Sequence, residues 1–390
     1  MKFSTRMNER GPAAIMARPR RLSGAGPVMA TRLTARAQQI VHRLIALTAV
    51  GAVSFLLCTP AISQAVTSTS SADAVGQFYR GKQITFVVGA AVGGGYDTLA
   101  RLMARHLGKH IPGNPHFVVQ NIPAANSLVA ANNLYNTLPK DGTYIGLLIR
   151  NILMAPVTKP SGARFEIEKF NWVGSLASEN SVALAWQTAP TKTLQDLFQR
   201  ELIVGGMSGV DPETTPLIYN ALIGTKFKIV NGYNGTTDIA LAMERREVDG
   251  IGDWSWSSLK MSKPDWLKDQ RVHILLQGAL TRNPELPNVP FALDYVKGDL
   301  DRQVFRLYFS QKEAARPVVA PPGIPPERLQ ALRAGFMQMA LDSEFQNDAE
   351  KSKLLVDPAP GSSVQDIVSM IASAPGPVAK RLLDILSPSR

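Results

Sequence analysis

Hydrophobic and polar positions along the chain change period several times, and each change marks an element. Residues 84–89 (ITFVVG) are a short β-branched and aromatic run closed by glycine, the pattern of a buried strand. Behind it Leu99, Leu102, Met103, His106 and Leu107 recur at helical spacing until Pro112-Gly113 ends the pattern. The unit repeats: 117–120 (FVVQ) is strand-like, 123–126 a turn, 127–135 helix-like, and 144–149 (YIGLLI) supplies a third strand. Short strands alternating with helices predict βαβ units and a mostly parallel sheet covered on both faces.

A second set follows Trp172. Residues 182–186 and 202–205 read as strands, Thr215-Pro216 as a helix cap with proline at the first helical position, and 228–230 as strand again. Thr236, Thr237 and Asp238 open a helix to about Arg246, and 248–253 (VDGIGD) read as the next strand. After 316–323 (RPVVAPPG) a long amphipathic helix opens at Pro325-Pro326-Glu327, and a last helix starts near Val364. The predicted fold class is α/β, in two lobes.

Charge changes the picture at the N-terminus. The net charge of +11 over 390 residues would suit a nucleic-acid or membrane-surface partner if it were spread evenly. Residues 1–65, however, hold nine basic residues against Glu9 alone, a net of +8, which leaves +3 for the rest and no case for nucleic acid. This basic stretch runs into the apolar 44–57 (LIALTAVGAVSFLL), short for a membrane span, then Pro60 and Ser63-Gln64-Ala65. That is the layout of a secretory signal peptide over 1–65, with cleavage near Ala65. The best-proportioned leader begins at Met29. The single cysteine, Cys58, follows Leu57 rather than a small residue, which reads against lipid attachment. Without it the exported chain has no thiol and depends on its core. Residues 66–77, small and polar, read as a flexible linker, with folding from Phe78.

The segment 89–97 (GAAVGGGYD) lies between a strand and a helix. Its glycines permit positive φ and close backbone approach, and the helix start offers unpaired N–H groups, so Val92, Gly93, Gly94, Gly95 and Asp97 are candidates for an anion site. A tight turn without a ligand explains the segment alone equally well. Nucleotide loops do not fit: Gly95-Tyr96 stand where a phosphate loop needs Lys and Ser/Thr, and Thr98 takes the place of a third dinucleotide-loop glycine. The next strand-to-helix turn, Ala124, Ala125, Asn126 and Ser127, repeats the arrangement, and in a parallel sheet both turns fall on one edge. Ser208 and Gly209 after a strand, and Asn234 before a helix, are candidates for a facing edge, as are Asp253, to meet a ligand donor or repel a second carboxylate, and Trp254 or Trp256, to pack on the ligand body. An N-cap aspartate and a core tryptophan account for Asp253 and Trp254 as readily. His106 and His110 share a helix face without the acid that a zinc motif places between them, and no cofactor or metal is expected.

FYRGKQITF at 78–86, GGGYD at 93–97 with Arg101, VQNIP at 119–123, NLY at 133–135 and PKDG at 139–142 stand in a recognisable order. GYNG at 232–235, EVD at 247–249 and APPGIP at 320–325 continue it. Together they resemble the Bug, or TctC-like, receptors of tripartite tricarboxylate transporters. The resemblance implies a type II-like periplasmic binding protein: 78–180 with 310–390 as lobe I, 181–309 as lobe II, and crossover strands near 176–186 and 305–320. It implies a monomeric, non-enzymatic periplasmic receptor that holds the carboxylate of a small organic anion at 92–95 and 124–127. The loaded receptor would pass its ligand to a large and a small integral membrane subunit or present it to a membrane sensor. Family members often carry Gly-Ala-Gly in the second turn, where this chain has Ala124-Ala125-Asn126. Alanine resists left-handed backbone, so this turn is expected to differ in shape.

Overall fold

The computed structural model describes residues 71–387, so the expected signal peptide, with Cys58 and the expected cleavage position, lies outside the described residues. No described helix is long and apolar enough to cross a membrane. Among the described residues eleven strands form two sheets. The first contains β1 (Gln83–Val88), β2 (His116–Asn121), β3 (Tyr144–Leu147) and β4 (Asn171–Ser175); the second contains β5 (Ser181–Trp186), β6 (Leu202–Gly206), β7 (Phe227–Asn231), β8 (Gly250–Ser255) and β9 (Val272–Gly278). The chain then returns to the first sheet with β10 (Pro317–Ala320) and β11 (Ala359–Pro360).

Strand order is β11-β4-β10-β3-β1-β2 in the first sheet and β7-β6-β8-β5-β9 in the second. Each has a parallel trio, β2-β1-β3 and β7-β6-β8, flanked by an antiparallel strand, β10 or β5, that arrives from the far side of the molecule. The near-continuous apolar runs β1 and β5 are buried on both faces, as central strands covered by helices must be, while edge strand β2 alternates exposed and half-buried.

Four sequence expectations change. Ser71–Tyr79, read as part of a flexible linker, is a helix: Val75 and Tyr79, one turn apart, are buried in the first sheet's core. The helix expected to open at Thr215-Pro216 spans Asp211–Ile223, with Pro212 in its first turn and Pro216 inside. Pro216 is accommodated because Gly252 of β8 has no Cβ; one built there would lie 2.7 Å from the proline ring. The return crossing near 305–320 is a helix, Asp299–Phe309, and a 3-10 turn, Ser310–Ala314, before β10. The C-terminal region holds two helices, Gly361–Ala372 and Gly376–Leu386. The second turns Val378, Leu382 and Ile385 inward and packs on helices Asp299–Phe309 and Asp211–Ile223, so the C-terminus adds to the core beside the second sheet.

The two crossings between the sheets lie side by side. The Glu179 N–H donates to the Lys312 carbonyl and the Ala315 N–H to the Ala177 carbonyl, both at 2.9 Å.

Candidate ligand cleft

Strand-to-helix turns collect at the C-terminal edge of a parallel sheet, and here the turns of both trios face one cleft of about 240 Å³. After β1 the chain turns through Gly93 (φ +82°) and enters helix Gly95–His106, whose N-cap, Gly94, offers no side chain to its first N–H groups. The Asp97 carboxylate pins the turn. It accepts the Gly93 N–H at 2.9 Å, the Asn121 amide at 3.0 Å and Arg101 at 3.0 and 3.1 Å. Burial would raise the Asp97 carboxyl; Arg101, the Gly93 N–H and Asn121 together hold it below the usual range.

The turn after β2 has the shape that its alanines resist. Ala125 and Asn126 at φ 50° and Ser127 at φ 75° form three successive left-handed residues. Ser127 is the reason it holds: its hydroxyl donates to the Gly89 carbonyl at 2.9 Å and accepts the Ile149 N–H at 2.8 Å, tying together the turns after β1, β2 and β3. A Cβ on Gly89 would sit 2.0 Å from the Ser127 Oγ, so only glycine fits. The Asn126 amide reaches across to the second sheet's side and donates to the Ser208 carbonyl at 2.6 Å.

Of the residues singled out from sequence, Val92, Gly93, Gly94, Gly95 and Asn126 line one wall, and Asn234, Asp253 and Trp254 the other. Ser127 and Asp97 are buried in the hydrogen bonds above rather than in the lining, Ala124 and Ala125 are exposed outside it, and Ser208 and Gly209 stand at the Asn126 contact. Asp253 is buried and already engaged, accepting the Ser181 hydroxyl at 2.6 Å and lying 2.9 Å from the Lys312 ammonium. Trp254 packs edge-on against Trp266. Trp256 lies outside the lining, donating to Glu285 at 2.6 Å under the Lys260 ammonium. His106 meets Asp348 at 3.1 Å and His110 lies 3.0 Å from Asp342, away from the cleft. No group of three or more potential metal-ligating side chains occurs among the described residues.

Sequence reasoning missed what fills the cleft floor. Arg150, after β3, pairs with Asp211 at the start of helix Asp211–Ile223, lies 3.6 Å from Asp253 and donates to Ser255 at 3.2 Å. Lys312, fully buried in the return crossing, stands 3.4 Å from Asp211 as well as beside Asp253. Arg316 completes the set, pairing with Glu179 at 3.3 Å, donating to Ser258 at 3.1 Å and lying over the Tyr96 ring at 4.5 Å. Three buried cations thus balance three buried carboxylates, the condition under which ionised groups persist away from water. Burial would raise the Asp211 carboxyl; the charges of Arg150 and Lys312 override it and hold the group well below the usual range. No local pattern announces these partners, which come from segments far apart in the chain.

No family model matches the chain, and no curated relative does. Solved structures do. The periplasmic binding protein BugD superposes with a TM-score of 0.61 at 16% identity, over 79% of this chain and 98% of that one. The chain has the fold of the periplasmic binding proteins. MatC from Rhodopseudomonas palustris, solved with malate, has the same binding-protein fold: TM-score 0.61, 19% identity, 78% of this chain and 99% of that one. A second R. palustris protein, solved with adipate, gives 0.60 and 20% over 77% and 97%.

Proposed function

We propose that the protein is a periplasmic solute-binding receptor that captures a small carboxylate between two lobes and hands it to an integral membrane transporter of the tripartite tricarboxylate type, without transforming it. The observation that carries this reading is the cleft itself: an uncapped helix start and a glycine turn on one wall, a second set of strand-to-helix turns on the other, and a volume suited to a small organic acid. The malate and adipate of the two R. palustris structures support the ligand class. One helix end contributes about 0.3–2 kcal/mol toward an anion, so useful affinity also needs several hydrogen bonds and exclusion of water when the lobes close.

Thermal unfolding of the purified protein against mono-, di- and tricarboxylates, amino acids and their amides tests the reading. A ligand of the native state raises the midpoint in proportion to RT ln(1 + [L]/Kd). A shift for one acid class that is lost in its amide is the expected result; a shift only for neutral solutes overturns it.

A further inference from the structure

Three turns facing the cleft or its edge use one device, in which a loop N–H is held by the carboxylate four residues on, inside the first turn of the next helix. Gly93 donates to Asp97 at 2.9 Å, Gly209 to Glu213 at 2.6 Å, and Asn234 to Asp238 at 3.3 Å. The acids differ in what else they hold. Asp97 is saturated by Arg101 and Asn121, and Glu213 accepts from the Asn231 amide. Asp238 has only the long bond from Asn234: among the described residues no Lys, Arg or His lies within salt-bridge distance, and its Oδ1 accepts nothing. It is half-buried and lines the cleft.

Charge gives this difference a direction. The floor is neutral, because Arg150, Lys312 and Arg316 offset Asp211, Asp253 and Glu179. Asp238 is therefore a lining carboxylate without a basic partner, contributed by the second sheet's side, whereas the uncapped start of helix Gly95–His106 comes from the first. The second-sheet wall is also apolar at Met207, Val210, Trp254 and Met261. The lining therefore offers an anion the helix start, a short hydrocarbon the apolar side chains, and a cation or strong donor the Asp238 carboxylate.

We infer that Asp238 sorts ligands in this cleft, selecting acids that carry a protonated amine at the end remote from the carboxylate and rejecting dicarboxylates, whose second carboxylate would face it. The inference rests on the carboxylate-receptor reading and narrows it. It also gives to Asp238 the role that sequence suggested for Asp253, whose Oδ2 holds Ser181 and Lys312 and whose Oδ1 faces Arg150 at 3.6 Å.

The test is calorimetric titration with isosteric pairs that differ only in the far group: β-alanine against succinate, γ-aminobutyrate against glutarate, δ-aminovalerate against adipate. Wild-type protein is expected to bind the better amino acid on the order of tenfold more tightly than its dicarboxylate partner, and Asp238→Asn to abolish or invert that ratio. The Asn side-chain oxygen still accepts the Asn234 N–H, and an unchanged melting curve checks that the fold is intact. Glu213→Gln, altering the same device outside the cleft, should leave the ratio unchanged. Preference of the wild type for dicarboxylates, or an unchanged ratio in Asp238→Asn, overturns the inference while leaving a carboxylate receptor standing. Failure of every acid to bind either protein removes both readings.

Discussion

Arg150 and Asp211 form a buried ion pair across the floor of the cleft, one residue following a strand of the first sheet and the other starting a helix on the second. Lys312 shares Asp211, and Arg150 also approaches Asp253, so neither carboxylate depends on a single cation. Removing one charge from such a set leaves a net charge where water cannot reach it.

Arg150→Met should therefore destabilise the protein by about 3–5 kcal/mol. Urea denaturation measures it. Adding Asp211→Asn to Arg150→Met should restore a large part of the loss, because the second change removes the stranded charge. Equal losses in the single and double variants would mean that packing, rather than charge balance, sets the cost.

Ala125 spends its native life at φ 50°, a conformation that costs a residue with a Cβ about 1–2 kcal/mol. Ala125→Gly relieves that strain and gives back part of it as added freedom of the unfolded chain. The expected net gain is roughly 0.5–1 kcal/mol, read as a rise in melting temperature.

Gly89→Ala should have the opposite effect, since its Cβ would overlap the Ser127 hydroxyl and break the link between three turns. A loss of about 3 kcal/mol is expected, with carboxylate binding weakened as well. Ser127→Ala, which loses the hydrogen bonds without the overlap, should cost less.

Acid should weaken the fold in a defined window. Asp211 and Asp97 have folded-state pKa values lowered from the usual one, and Asp342, held chiefly by Lys109, is lowered to about 2. Groups depressed on folding stabilise the native state above their unfolded pKa, about 3.9, and that contribution fades as pH falls through the folded values. Melting temperature should be steady from about pH 6 to pH 5 and fall below about pH 4. A flat profile down to pH 3 would contradict these assignments.

The alternation of short strands and helices was readable because period and punctuation are local: 84–89, 117–120 and 202–205 overlap the strands that form the parallel trios, with Gly89 falling just past the end of β1. Turns inherit their place from the strands before them, which is why Val92, Gly93, Asn126 and Asn234 reach the cleft. Sequence places Ser127 among the ligand groups because a hydroxyl at a turn looks the same whether it faces a ligand or a neighbouring carbonyl; only the approach of Gly89 distinguishes the two. The floor was not readable. Arg150, Asp211, Lys312 and Arg316 become neighbours only after the chain crosses twice between sheets, and no spacing within any one segment records that.

The paired crossings bear on how the cleft can open. Two separate tethers would let the lobes swing, slide and roll independently, but the bonds from Glu179 to Lys312 and from Ala315 to Ala177 fasten the tethers into one short ribbon. A ribbon of that kind bends across its flat face and twists along its length far more easily than it shears. Opening should then follow a single arc, in which the exposed Asn126–Ser208 contact and the buried charges next to the ribbon belong to one coordinate rather than to several.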